Sequence, residues 1–73
     1  MLIEFQRLVE VEDEEGMSRD EVRPVSINPQ FVSAVLDVRA NPNLSVIRGP
    51  DGRGIIVNGS HAETVAKLLP AMD

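Results

Sequence analysis

Ser60-His61-Ala62-Glu63 is the first place to look for chemistry, because it sets a hydroxyl, the chain's single imidazole and a carboxylate within four residues. A Ser–His nucleophile needs the hydroxyl aimed at the ring and a third group to orient that ring. Adjacent residues at a helix start point apart. A serine followed three residues later by glutamate is instead a capping box, in which each side chain bonds the other's free backbone N–H. Ser60 is then spent on the backbone and His61 is an exposed first-turn residue. No catalytic residue is expected.

Gly49-Pro50-Asp51-Gly52-Arg53-Gly54 has the glycine content of a phosphate-cradling loop. A P-loop also needs a lysine and a hydroxyl at fixed offsets, with a helix directly behind. Here an apolar strand, Ile55–Val57, follows, so a β-hairpin turn is the better reading. The backbone donors from Gly59 to Ala62 form a helix N-terminus able to hold an anion. Glu63 already places a carboxylate there.

The acids concentrate in one segment. Glu10, Glu12, Asp13, Glu14, Glu15, Asp20 and Glu21 face Arg19 alone, whereas outside that stretch five acids face six bases. The segment 12–21 reads as a solvated, mobile loop of mutually repelling carboxylates around Gly16. It lacks the alternate-position ligands and central glycine of a calcium-binding EF-hand loop. Its sharpest specific use is docking on a basic protein surface, with Glu12, Asp13, Glu14, Glu15, Asp20 and Glu21 as the contact residues. Arg23, Arg39, Arg48 and Arg53 would have to gather on one face to contact nucleic acid. Only Phe5 and Phe31 exist as aromatic stacking partners, and the body outside the loop is nearly neutral. Both facts argue against nucleic acid.

The elements that must position these residues form one domain over 1–73. Ile3, Phe5, Val9 and Val11 alternate with Glu4, Gln6, Glu10 and Glu12, the period of a half-buried strand. Arg7-Leu8 breaks that rhythm, which predicts a bulge or a change of face. Val22 to Asn28 reads as a second strand, and Pro24 puts it at an edge or at the start of pairing. Asn28-Pro29 then turns the chain. Phe31, Val32, Val35 and Leu36 have helical spacing, whereas Val32, Ala34, Leu36 and Val38 alternate; a short turn at 29–31 followed by a strand through Arg39 is the favoured reading. Strands Leu44–Arg48 and Gly54–Asn58 flank the hairpin turn. Ala62, Val65, Ala66 and Leu69 make the apolar stripe of a final helix, which Pro70 ends or kinks. The expected fold is α+β: a small antiparallel sheet of four or five strands with one C-terminal helix packed on one face.

From Val25 to Leu69 this order resembles the small flagellar FlbD-like family. The matching residues are Ile27-Asn28-Pro29, Phe31-Val32, Val35-Leu36, Val46-Ile47, Gly52, Ile55-Ile56-Val57 and Val65 to Leu69, over about 45 positions by pattern. Ile-Asn-Pro and the hairpin glycine are the distinctive ones. The family pattern opens with a short hairpin where this chain carries the acidic segment. The resemblance implies the same fold, a non-enzymatic role and a link to the flagellum. DNA-binding LytTR domains share part of the strand–turn–strand–helix order.

A chain of 73 residues buries only about 60% of its unfolded surface, so its core is thin. Disulfides, metal or a second chain usually supply what such a core lacks. There is no cysteine, one histidine cannot assemble a zinc site, and no cofactor is implied. A homodimer or small oligomer is therefore expected, with Val46, Ile47, Ile55 and Val57 as its contact. The start of the chain has no basic region or long apolar run, so a cytoplasmic protein without membrane insertion is the expectation. The leading function is a non-catalytic interaction or regulatory protein. The alternatives are a phage- or plasmid-type inhibitor that uses the acidic segment as a nucleic-acid or basic-protein mimic, and a LytTR-like DNA contact module.

Overall fold

The computed structural model describes residues 1–72. Strands β1 (Ile3–Glu12), β2 (Ser18–Ile27), β3 (Ala34–Asp37), β4 (Leu44–Arg48) and β5 (Gly54–Asn58) form one antiparallel sheet in the order β2-β1-β5-β4-β3. Helix α1 (His61–Met72) lies on one face of it. The α+β fold read from the sequence is the fold observed.

β1 and β2 are paired without interruption from Ile3↔Ile27 to Glu12↔Ser18, so no bulge occurs at Arg7-Leu8. The odd-numbered residues of β1 keep the helix side throughout, and Leu8 is an apolar residue placed on the other face. The acidic segment is also more ordered in form than a loop. Only residues 13–17 turn; Ser18 to Glu21 belong to β2. Asp13 Oδ1 accepts the N–H groups of Glu15 (3.0 Å) and Met17 (2.8 Å), and Gly16 takes a φ of 81° that a side chain would oppose. β5 pairs with β1 only at Arg7 and Leu8. The outer half of the β1–β2 hairpin therefore extends past the third strand as an arm.

Pro24 sits on β2, an outer strand of the sheet, where proline is tolerated. Residues 29–31 form a single 3₁₀ turn, Pro29–Phe31, capped by the Asn28 side chain. The strand that follows stops at Asp37, two residues short of the expected end. The Val38 carbonyl is already taken by the turn N–H of Asn41. The β4–β5 turn closes through Gly52 N–H to the Gly49 carbonyl (3.1 Å) and Gly49 N–H to the Arg53 carbonyl (2.9 Å).

The capping box forms as read: Glu63 N–H donates to Ser60 Oγ at 3.2 Å, and Ser60 N–H donates to Glu63 Oε1 at 3.1 Å. The helix continues past Pro70 to Met72. Its phase differs from the expected one. Among the described residues of the helix, Leu68 and Thr64 are fully buried and Val65 is half-buried, while Ala62, Ala66 and Leu69 face outward. The stripe turned because Thr64 is accepted into the interior by a partner, Ser45, on β4. Phe5, Ile47, Val57 and Leu68 form the core, ringed by half-buried Ile3, Val25, Ile27, Val32, Val35 and Ile55. Lys67 closes its β1 side, with Nζ 4.5 Å from the Phe5 ring centroid and bonded to the Glu4 carbonyl. Phe31 is exposed, so one of the two aromatics adds little to that core.

Candidate interaction surface

Strand alternation divides the apolar residues between two faces, and among the described residues the face away from α1 has no second layer. Four pairings run through one line across that face: Val22 opposite Leu8, Leu8 opposite Ile56, Ile56 opposite Val46, and Val46 opposite Leu36. Each of the five strands contributes one apolar side chain. Val22 is 56% exposed, Ile56 42% and Leu36 38%, with Leu8 and Val46 half-buried between them. At strand spacings of about 4.8 Å the row is about 19 Å wide. An uncovered antiparallel face ordinarily carries polar side chains. A continuous apolar row across one departs from that pattern.

Gly54 smooths this surface. A Cβ there would stand 2.8 Å from Val46 Cγ1, so Val46 lies across the space that a side chain would fill. Two residues from the apolar row, the next line holds Asp20 opposite Glu10 on one side of β5, and Arg48 between Gly54 and Ala34 on the other. Like charges directly opposite destabilise a strand pair. Among the described residues, neither Glu10 nor Arg48 has an ion-pair partner within the chain.

The residues singled out in the sequence are distributed differently from the expectation. Of the four expected oligomer contacts, only Val46 is on the open face. Ile47 and Val57 are core residues at 4% and 0% exposure, and Ile55 packs against them. The expectation spans two adjacent strands whole, and alternation sends neighbours along each strand to opposite faces. Leu8, Val22, Leu36 and Ile56 were the residues missed. Their signal was an apolar residue at positions that a one-sided strand would make polar.

The six acids do not form one docking patch either. Asp13 is turned inward as the turn acceptor, and Glu14 and Glu15 stand at the tip. Glu12 and Asp20 lie on the open side of the arm. Glu21 lies on the helix side, held between Arg19 at 3.1 Å and Arg23 at 2.9 Å. The hydrogen bond from Arg23 keeps its carboxyl below the usual carboxylate range. The arginines are equally scattered: Arg23 is on the helix side, Arg48 on the open side, and Arg53 pairs with Asp51 at the hairpin turn. His61 is exposed at the first position of α1. Among the described residues no group of three acids or histidines is placed to hold a metal ion, and no helix is long and apolar enough to cross a membrane.

No family model, curated protein or solved structure matches the chain.

Proposed function

We propose that this chain is a non-catalytic interaction protein that works as a homo-oligomer, with the uncovered sheet face as its contact. The observation that carries the reading is the five-strand row Val22–Leu8–Ile56–Val46–Leu36. Covering it supplies the buried apolar area that a core of four buried hydrophobic residues, among the described residues, lacks. The polar groups best placed for chemistry are used in folding: Ser60 and Glu63 cap α1, and Ser45 and Thr64 bond each other. A cytoplasmic regulatory role in the flagellar setting that the FlbD-like pattern implies completes the proposal. Deleting the gene tests that setting, and unchanged motility would remove it.

Sedimentation over a concentration series tests the self-association. The expected species at micromolar concentration is twice the 8.0 kDa chain mass. Ile56→Glu, at an exposed position, should return it to a folded monomer. A wild-type chain that stays at 8.0 kDa at every concentration would overturn the reading. Raised salt should leave the dimer in place, because apolar contact is not screened.

A further inference from the structure

Resting on that reading, we infer that the partner on the open face is a second copy related by a two-fold axis running along β5, registered by paired Glu10–Arg48 contacts between copies. Two sheets pressed face to face with closed symmetry have their axis in the plane between them, and in the aligned class of sheet packing it runs either along the strands or across them. The two choices bring different residues together. β1 and β4 flank β5 on either side. Arg48 follows Val46 by two residues on β4 and pairs with Gly54; Glu10 follows Leu8 by two on β1, just past the last β1–β5 pair, and the same register carried one step further brings it level with that line.

Rotation about β5 keeps each line in place and exchanges the two sides of the sheet. Ile56 then meets Ile56 of the second copy, Leu8 meets Val46, and Val22 meets Leu36. Glu10 of each copy stands over Arg48 of the other, which makes two equivalent ion pairs. Asp20 lies over Ala34, whose small side chain leaves it room, and the like-charged Glu10–Asp20 pair gains a cation. Rotation about an axis across the strands keeps the apolar row on itself but exchanges the lines beside it. Arg48 would then be placed over Leu44 and Glu10 over Gln6, with no charge matched. The chain carries a net charge of −5, so two copies repel unless opposite charges are brought together. Charge complementarity therefore selects the axis along β5.

The strand and side-chain spacings give a contact on the order of 1,000 Å² in total, at the lower edge for a specific dimer. Facing sheets are about 10 Å apart, a gap that a glutamate and an arginine reaching from opposite sides can close.

Charge reversal and cross-linking test the arrangement. Glu10→Arg and Arg48→Glu, both at exposed positions, should each weaken dimerisation by about tenfold or more, since each sets like charges face to face. The double variant should return to within about threefold of wild type. The chain has no cysteine, so Ile56→Cys and Val22→Cys each provide a single thiol for a short bismaleimide. Ile56→Cys copies, on the axis, should link. Val22→Cys copies, displaced laterally by about 19 Å, should not. A dimer in which the two charge reversals merely add, or in which Val22→Cys links as readily as Ile56→Cys, would overturn the axis while leaving self-association standing. A monomeric wild type would overturn both. Unchanged far-UV spectra establish that each variant folds, and the cross-linking arm decides the question if a charge reversal does not.

Discussion

The hydroxyls of Ser45 and Thr64 meet at 2.7 Å in the middle of the sheet–helix interface, each belonging to a residue with 2% exposure or less. Ser45 is on β4 and Thr64 on the first turns of α1, so this one polar contact joins the two layers at the centre of an otherwise apolar packing. Among the described residues every buried side-chain oxygen and nitrogen has a partner, and these two satisfy each other. The pair also sets the rotation of the helix. With Thr64 held inward, Leu68 one turn later falls over the core, and Leu69 is carried to the rim.

Removing one hydroxyl should leave the other buried without a partner. Ser45→Ala and Thr64→Val are each expected to cost roughly 1–3 kcal/mol. The double variant should cost clearly less than the sum, because the orphaned group is gone. Urea denaturation of the four proteins gives the coupling directly. Additive losses would mean that the hydroxyls act independently.

Leu68→Ala should cost about 2–5 kcal/mol, as truncation leaves a cavity beneath the helix. Leu69→Ala, at a position 54% exposed, should cost about 1 kcal/mol or less. The same denaturation experiment ranks them. A larger loss at Leu69 than at Leu68 would contradict the helix phase seen here.

This helix shows which features were legible in the amino-acid order and which were not. The capping box and the Gly49–Gly52 turn are local, since every partner lies within five residues, and both form as read. Helix phase is different. The apolar stripe Ala62, Val65, Ala66 and Leu69 leaves Thr64 out, because its partner Ser45 lies 19 residues away and nothing near Thr64 announces it. The open face was hidden for a related reason. Leu8 looked like an error in the rhythm of β1 until β2 and β5 placed Val22 and Ile56 beside it. Which strand residues belong to the core depends on which side the helix lands, and that is a long-range outcome. In the acidic turn the local turn chemistry of Asp13 and Gly16 outweighs the repulsion of its carboxylates. Asp13 accepts the N–H of the residue two positions on, as Asp51 does from Arg53, and each turn holds a glycine at positive φ.

Gly16→Ala should therefore loosen the arm. Its φ of 81° opposes a side chain, at a cost of roughly 1–2 kcal/mol. The loss should be local, since the outer half of the hairpin has no third strand beside it. Amide exchange at Val11 and Arg19 should quicken, while exchange at Val57 stays slow. Glu14→Gln and Glu15→Gln, at the exposed tip, should leave both rates unchanged. Equal acceleration throughout the sheet would mean that the arm and the core unfold as one unit.

The capping box gives the chain an acid-sensitive element with a definite sign. Ser60→Ala should cost about 1 kcal/mol, the usual loss for a helix cap. The partner carboxyl of Glu63 is held below its ordinary value of 4.5, first by the backbone N–H of Ser60 and then by the serine hydroxyl. A carboxyl whose pKa is lowered by folding binds its proton more readily in the unfolded chain. Its contribution is thus complete above that ordinary value and is lost as pH falls through the lowered one. Glu21 works in the same direction through the guanidinium of Arg23. Stability measured from neutral pH downward should hold until the ordinary carboxylate range and then decline. Glu63→Gln keeps an oxygen able to accept the Ser60 N–H but has no proton to bind, so its decline should be shallower. The gap between wild type and Glu63→Gln should close in acid and be constant above pH 6 or so. A gap that widens as pH falls would reverse the sign and rule out a cap held by the charged carboxylate.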